Sequence, residues 1–139
     1  MSRKIGWAVF LCALALTLGL KTAQSGWFTF REPLLLNGKP ALIFFTLSQG
    51  CECQMSVVRA AEAQLTNWQA PVQLLRVDFD RRPDLAEQFD LARAPALVLL
   101  DSDGQIIWKQ DEGLSDESPL DLEQVGIQVE ALNENPYNK

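Results

Sequence analysis

No histidine occurs anywhere in these 139 residues. Imidazole acid/base catalysis, Ser-His-Asp triads and histidine-ligated zinc therefore cannot be assembled from this chain alone, which leaves sulfur and carboxylate as its reactive groups. Basic side chains are scarce as well, 12 against 18 acidic ones. Three of the 12, Arg3, Lys4 and Lys21, flank an apolar leader, so the rest of the chain carries a net charge near −9. Such a surface does not neutralise phosphates, which argues against nucleic acid as a partner and against an electrostatic hold on anionic lipid. Internal repeats and low-complexity runs are lacking too, while the apolar (47%) and charged (22%) fractions are those of an ordinary globular chain. The length suits one domain.

What is present begins with "MSRK" followed by residues 5–20, sixteen positions without a charge. A membrane-spanning helix needs about 17–25 apolar residues and a secretory h-region about 7–15, and this run falls between them. Under the positive-inside rule, Arg3 and Lys4 keep the near side in the cytoplasm and send the remainder out of it. The expected organisation is a signal-anchor or transmembrane helix over residues 1–25, a linker over 26–39, a domain over 40–133 and a fraying tail over 134–139. "GWFTF" after the helix supplies interfacial aromatics, which favours an uncleaved single-pass anchor in the cell membrane. The alternative is a secreted or periplasmic protein cleaved after Ser25, where Ala23 and Ser25 are the small residues. Cys12, preceded by bulky Leu11, reads as apolar filler within the run.

In the exported part, "ALIFFTL" (residues 41–47) is a continuous apolar run bounded by Pro40 and "SQG", the pattern of a strand buried on both faces. Met55, Val58, Ala61, Leu65 and Trp68 then recur at three- to four-residue spacing and predict an amphipathic helix from Cys53 to about Trp68. "VQLLRVDFD" (72–80) predicts a second strand, and Pro83 with Leu85, Ala86 and Phe89 a short helix. "ALVLLD", "SDG" and "QIIWKQ" (96–110) predict a hairpin, because Asp-Gly between apolar runs is a strong turn signal. Ser118-Pro119-Leu120-Asp121 has the form of a helix start with Ser118 as N-cap, and Leu122, Val125, Val129 and Leu132 mark one face of the helix that follows. Gly126 weakens that helix by about 1 kcal/mol relative to Ala. The order β-α-β-α-β-β-α is mixed α/β, with a crossover helix and then an antiparallel pair.

Over residues 40–132 the sequence resembles the thioredoxin family. The resemblance rests on the apolar strand entering a cysteine-bearing turn, on "CQM" opening a helix, on "VDFDRRPDLAEQFDLARAPALVLL", and on the "DG" hairpin. It implies a thioredoxin-like fold, a central mixed sheet flanked by helices, with a cis peptide bond before Pro95 and that proline beside the active-site cysteines. Three departures accompany it. Cys51-Glu52-Cys53 replaces the family's Cys-x-x-Cys, so that Gly50 takes the first cysteine's position if Cys53 matches the second. The first central strand lacks the carboxylate that assists proton transfer in many members, and the tryptophan that often precedes the first cysteine is replaced by Gln49 or Gly50.

Cys51 and Cys53 can pair only with each other or with another molecule, and an oxidising compartment lets a disulfide persist. A cysteine at a helix N-terminus feels the positive end of the helix dipole, which favours the thiolate that attacks disulfides. Glu52 repels that charge, and Arg93 offsets it if the fold brings the two together. Closure across one residue makes a tight, strained ring and hence a comparatively oxidising couple. The expected function is a thiol-disulfide oxidoreductase acting outside the cytoplasm on protein thiols and disulfides, with Cys51 as nucleophile, Cys53 as resolving thiol and Pro95 beside them; neither a cofactor nor a resident metal is expected, and the domain is expected to be a monomer. Two other classes stand beside it. Cys51, Cys53 and Met55 form a soft donor set for Cu(I), although Met55 on the apolar helix face reads first as core packing. A non-catalytic binding domain is the third, since fold does not determine function. Asp78 and Asp80 read as solvated strand-end carboxylates without a role, and Trp68 and Trp108 as packing.

Overall fold

Five consecutive residues of the first strand, from Ala41 to Phe45, are wholly shielded from solvent, and the rest of the fold is arranged around them. The computed structural model describes residues 33–134. The expected anchor over 1–25, most of the linker and the tail beyond Glu134 lie outside the described residues. Among the described residues no helix is long and apolar enough to cross a membrane. The elements in chain order are β1 (Ala41–Thr46), α1 (Glu52–Asn67), β2 (Gln73–Asp78), α2 (Pro83–Gln88), β3 (Ala96–Leu100), β4 (Ile106–Gln110) and α3 (Leu122–Glu134).

The four strands form one sheet in the order β2-β1-β3-β4. β1 and β2 run parallel, as the crossover through α1 requires, whereas β1 with β3 and β3 with β4 are antiparallel. Strand alternation divides the core into two faces. Leu42, Phe44, Leu97 and Leu99 point to one side, where Ala61 and Leu65 of α1 and Val125 and Val129 of α3 cover them. On the other side Phe45 meets Phe79 and Phe89 edge-on, with ring centroids 6.4 and 6.1 Å apart. A sheet covered on both faces explains why β1 and β3 read as unbroken apolar runs. β4, at the edge, leaves Ile106 and Ile107 partly exposed.

The turns follow local chemistry. Asn37 and Gly38 both take positive φ (50° and 66°), the conformation that the Asn-Gly pair favours. In the β3–β4 hairpin the organiser is Asp101, whose carboxylate accepts the backbone N–H groups of Asp103 and Gln105 at 2.9 and 2.8 Å. The second strand stops at Asp78, short of the predicted Asp80, because the Asp78 carboxylate takes the N–H groups of Asp80 and Arg81 and turns the chain. The last helix also begins later than expected, at Leu122. Asp121, and not Ser118, caps it by accepting the Gln124 N–H at 3.1 Å. The segment ahead of α3 is instead clasped by two glutamines. Gln64 bonds both the N–H and the C=O of Leu120, and Gln110 bonds the Pro119 C=O and the Asp121 N–H.

Candidate functional site

β1 delivers the chain at Thr46 to the loop 47–50, and α1 begins at Glu52, so Cys51 stands where strand becomes helix. The helix starts one residue before the predicted Cys53 because Cys51 itself is its N-cap (φ −68°, ψ 159°). The Cys51 sulfur accepts the Gln54 backbone N–H at 3.4 Å, and the Gln54 side-chain oxygen accepts the Cys51 N–H at 3.2 Å. This is a reciprocal capping box with sulfur in place of the usual hydroxyl. Cys53 lies in the first turn, its carbonyl accepting the Ser56 hydroxyl at 2.7 Å. Both cysteines are exposed free thiols.

Their acidities diverge. A hydrogen bond from the Cys53 thiol, followed by the Gln54 N–H, lowers the Cys51 pKa from its ordinary value. The same hydrogen bond, with partial desolvation and the neighbouring Cys51 charge, raises that of Cys53. One sulfur is thus favoured as thiolate and the other as its proton-bearing donor.

The surrounding charges are paired differently from the expectation. Arg93 does not balance Glu52; it pairs with Glu112 at 2.6 Å. Glu52 is met by Arg59 at 2.7 Å, two helical turns along the same helix, and both side chains remain largely in water. Asp78, expected to be merely solvated, is only 18% exposed at its side chain. Its pKa is lowered, first by a hydrogen bond from Ser48, so it ties the cysteine loop to the end of β2. Thr46 reaches Glu62 of α1 at 3.4 Å, a second tie at this end of the sheet.

The Ala94–Pro95 peptide is cis, as the resemblance implied. Phe45 of β1 pairs with Ala96 of β3, which puts Pro95 at the end of the sheet from which the cysteine loop departs. No polar or charged side chain is buried among the described residues, so no element supplies the internal carboxylate that β1 lacks. Met55 is half-buried, while its helix neighbours Val58, Ala61 and Leu65 are fully in the core. Among the described residues no group of three or more cysteines, aspartates and glutamates is placed to hold a metal ion. Gln54, Arg59 and the Ser48–Asp78 tie were not assigned to the site from sequence. Of these only Gln54 carried a signal, the three-residue capping-box spacing from Cys51.

No protein-family model and no curated protein matches the sequence. Solved structures do. A mutant thioredoxin from Halobacterium salinarum is similar with a TM-score of 0.50 at 21% identity, over 72% of this chain and 80% of that one. Trxlp from Edwardsiella tarda gives a TM-score of 0.49 at 18% identity, covering 68% of this chain and 84% of its own. A malaria-parasite thioredoxin-2 gives 0.46 at 16%, covering 67% and 82%. At 21% identity the likeness to the Halobacterium salinarum thioredoxin speaks of the fold alone, and that fold is thioredoxin-like α/β.

Proposed function

We propose that this chain is a thiol-disulfide oxidoreductase that works outside the cytoplasm through the Cys51/Cys53 couple and is held at the membrane by its N-terminal segment. The observation that carries the reading is the pair of exposed free sulfurs at one strand-to-helix turn, with Cys51 at the helix N-cap accepting the Gln54 N–H; the lowered pKa of Cys51 beside the raised one of Cys53 supports it. The Cys51 thiolate attacks one sulfur of a protein disulfide, forming a mixed disulfide and expelling the other sulfur as a thiolate, which takes up a proton. Cys53 then loses its proton and attacks the Cys51 sulfur, releasing the second substrate thiol and closing the Cys51–Cys53 disulfide. Two electrons pass from the dithiol to the substrate, and the reverse sequence oxidises a substrate dithiol. The strain of closure across one residue favours that reverse direction. Pro95, cis and at the same end of the sheet, stands as the third residue of the site.

Thiol trapping of the full chain across a glutathione redox series tests the reading. Both thiols should convert together within the series, and a pair that stays reduced throughout or never reduces refutes it. Orientation is tested separately in sealed inside-out vesicles carrying a tag after Lys139. Added protease should leave that tag intact, and its digestion from the cytoplasmic side contradicts export.

A further inference from the structure

We propose that Gln54 is the positioning residue of the nucleophilic sulfur, and that Gly50 supports it by leaving room for the Gln54 side-chain oxygen. The inference rests on the thiol-disulfide reading for its significance, but its geometry stands independently. Gln54 holds Cys51 from both sides, donating its backbone N–H to the sulfur at 3.4 Å and accepting the Cys51 N–H on its side-chain oxygen at 3.2 Å. The second bond fixes the Cys51 backbone at the cap, which keeps the sulfur over the first-turn N–H groups. A free rotor would share its time with water. The helix N-terminus supplies the electrostatic environment, and Gln54 decides where in it the sulfur sits.

Gly50 explains how so exposed a clasp persists. A Cβ at position 50 would lie 3.0 Å from the Gln54 side-chain oxygen, tighter than nine in ten real contacts of that kind, so the oxygen would have to give way by a few tenths of an ångström. Its other neighbours, Gln54 Cβ and the Met55 sulfur, would both be at an ordinary 3.5 Å. Gly50 has no left-handed φ, so its backbone conformation admits alanine. Its smallness therefore serves one atom, the amide oxygen that accepts from Cys51. A side chain at residue 50 would push that oxygen away while leaving both cysteines and Gln54 in place.

The two residues should accordingly be non-additive. The readout is the rate and pH profile of iodoacetamide alkylation at Cys51 in the full-length reduced protein, with the modified cysteine identified by mass spectrometry. Gln54→Ala should slow alkylation at neutral pH roughly two- to fivefold, the size of losing one weak exposed hydrogen bond, and move the profile to higher pH. Gly50→Ala should move it in the same direction. The Gln54→Ala, Gly50→Ala double variant should match Gln54→Ala alone, because the obstructed atom is gone. An unchanged profile in Gln54→Ala, or effects that add in the double variant, overturns the proposal. Since alkylation reads one thiol without any exchange of disulfides, a dithiol that proved inert in the glutathione series would refute the enzyme reading while leaving this result intact.

Discussion

The sharpest consequence of the site is that its two sulfurs are chemically unequal, and removing one should change the other. Hydrogen bonds lower the Cys51 pKa, the largest effect coming from the Cys53 thiol and the next from the Gln54 N–H. In the reduced protein Cys51 should therefore be alkylated first, with an onset at lower pH than an ordinary thiol shows. Cys53→Ala removes the largest of these donors and leaves the Gln54 N–H in place. The thiolate is then less favoured, so the profile moves up in pH, and alkylation at neutral pH should fall roughly three- to tenfold, as for loss of one charge-assisted hydrogen bond weakened by water. Cys51→Ala should act in the opposite direction. Cys53 would lose its acceptor and the neighbouring charge, both of which raise its pKa, so its profile should move down in pH. Peptide mapping after timed alkylation gives both rates. Preferential modification of Cys53 in the intact pair, or a Cys51 rate indifferent to Cys53→Ala, would refute the reasoning.

Two further outcomes test the scaffold. Gly126→Ala should raise stability by about 1 kcal/mol, because position 126 lies within α3 and an added Cβ meets nothing within 4 Å; a lowered urea midpoint would contradict it. Gln64→Leu should cost about 1–3 kcal/mol in urea unfolding, since both backbone groups of Leu120 lose their side-chain partner in a half-buried position, and an unchanged midpoint would show that the clasp is not needed.

Much of the fold was legible because its signals are local or periodic. Residues 41–45 show no alternation, and a strand covered on both faces has no need of one. Val58, Ala61 and Leu65 announced the buried side of α1 by spacing alone, as Val125 and Val129 did for α3. The late start of α3 has a tertiary cause. Ser118 and Asp121 are both competent caps, and Ser118 bonds Gln64 of α1, a contact 54 residues distant in sequence, while Asp121 takes the cap. Within the site, the strand-to-helix position of Cys51 could be read directly, and cis Pro95 followed from family resemblance. The partners of Glu52 and Arg93 could not be assigned, because several opposite charges lie within reach of each and backbone geometry selects among them.

The sequence by itself determined the chemistry available: no imidazole, two cysteines one residue apart at the end of an apolar strand, and an order of strands and helices with few ways to pack. Only the tertiary structure decided how those sulfurs differ. A thiol's protonation depends on which donors lie within about 3.5 Å of it, and these are set by the capping geometry of one helix turn. That turn is held in place by the strand entering it, the Ser48–Asp78 tie and the bare Cα of Gly50.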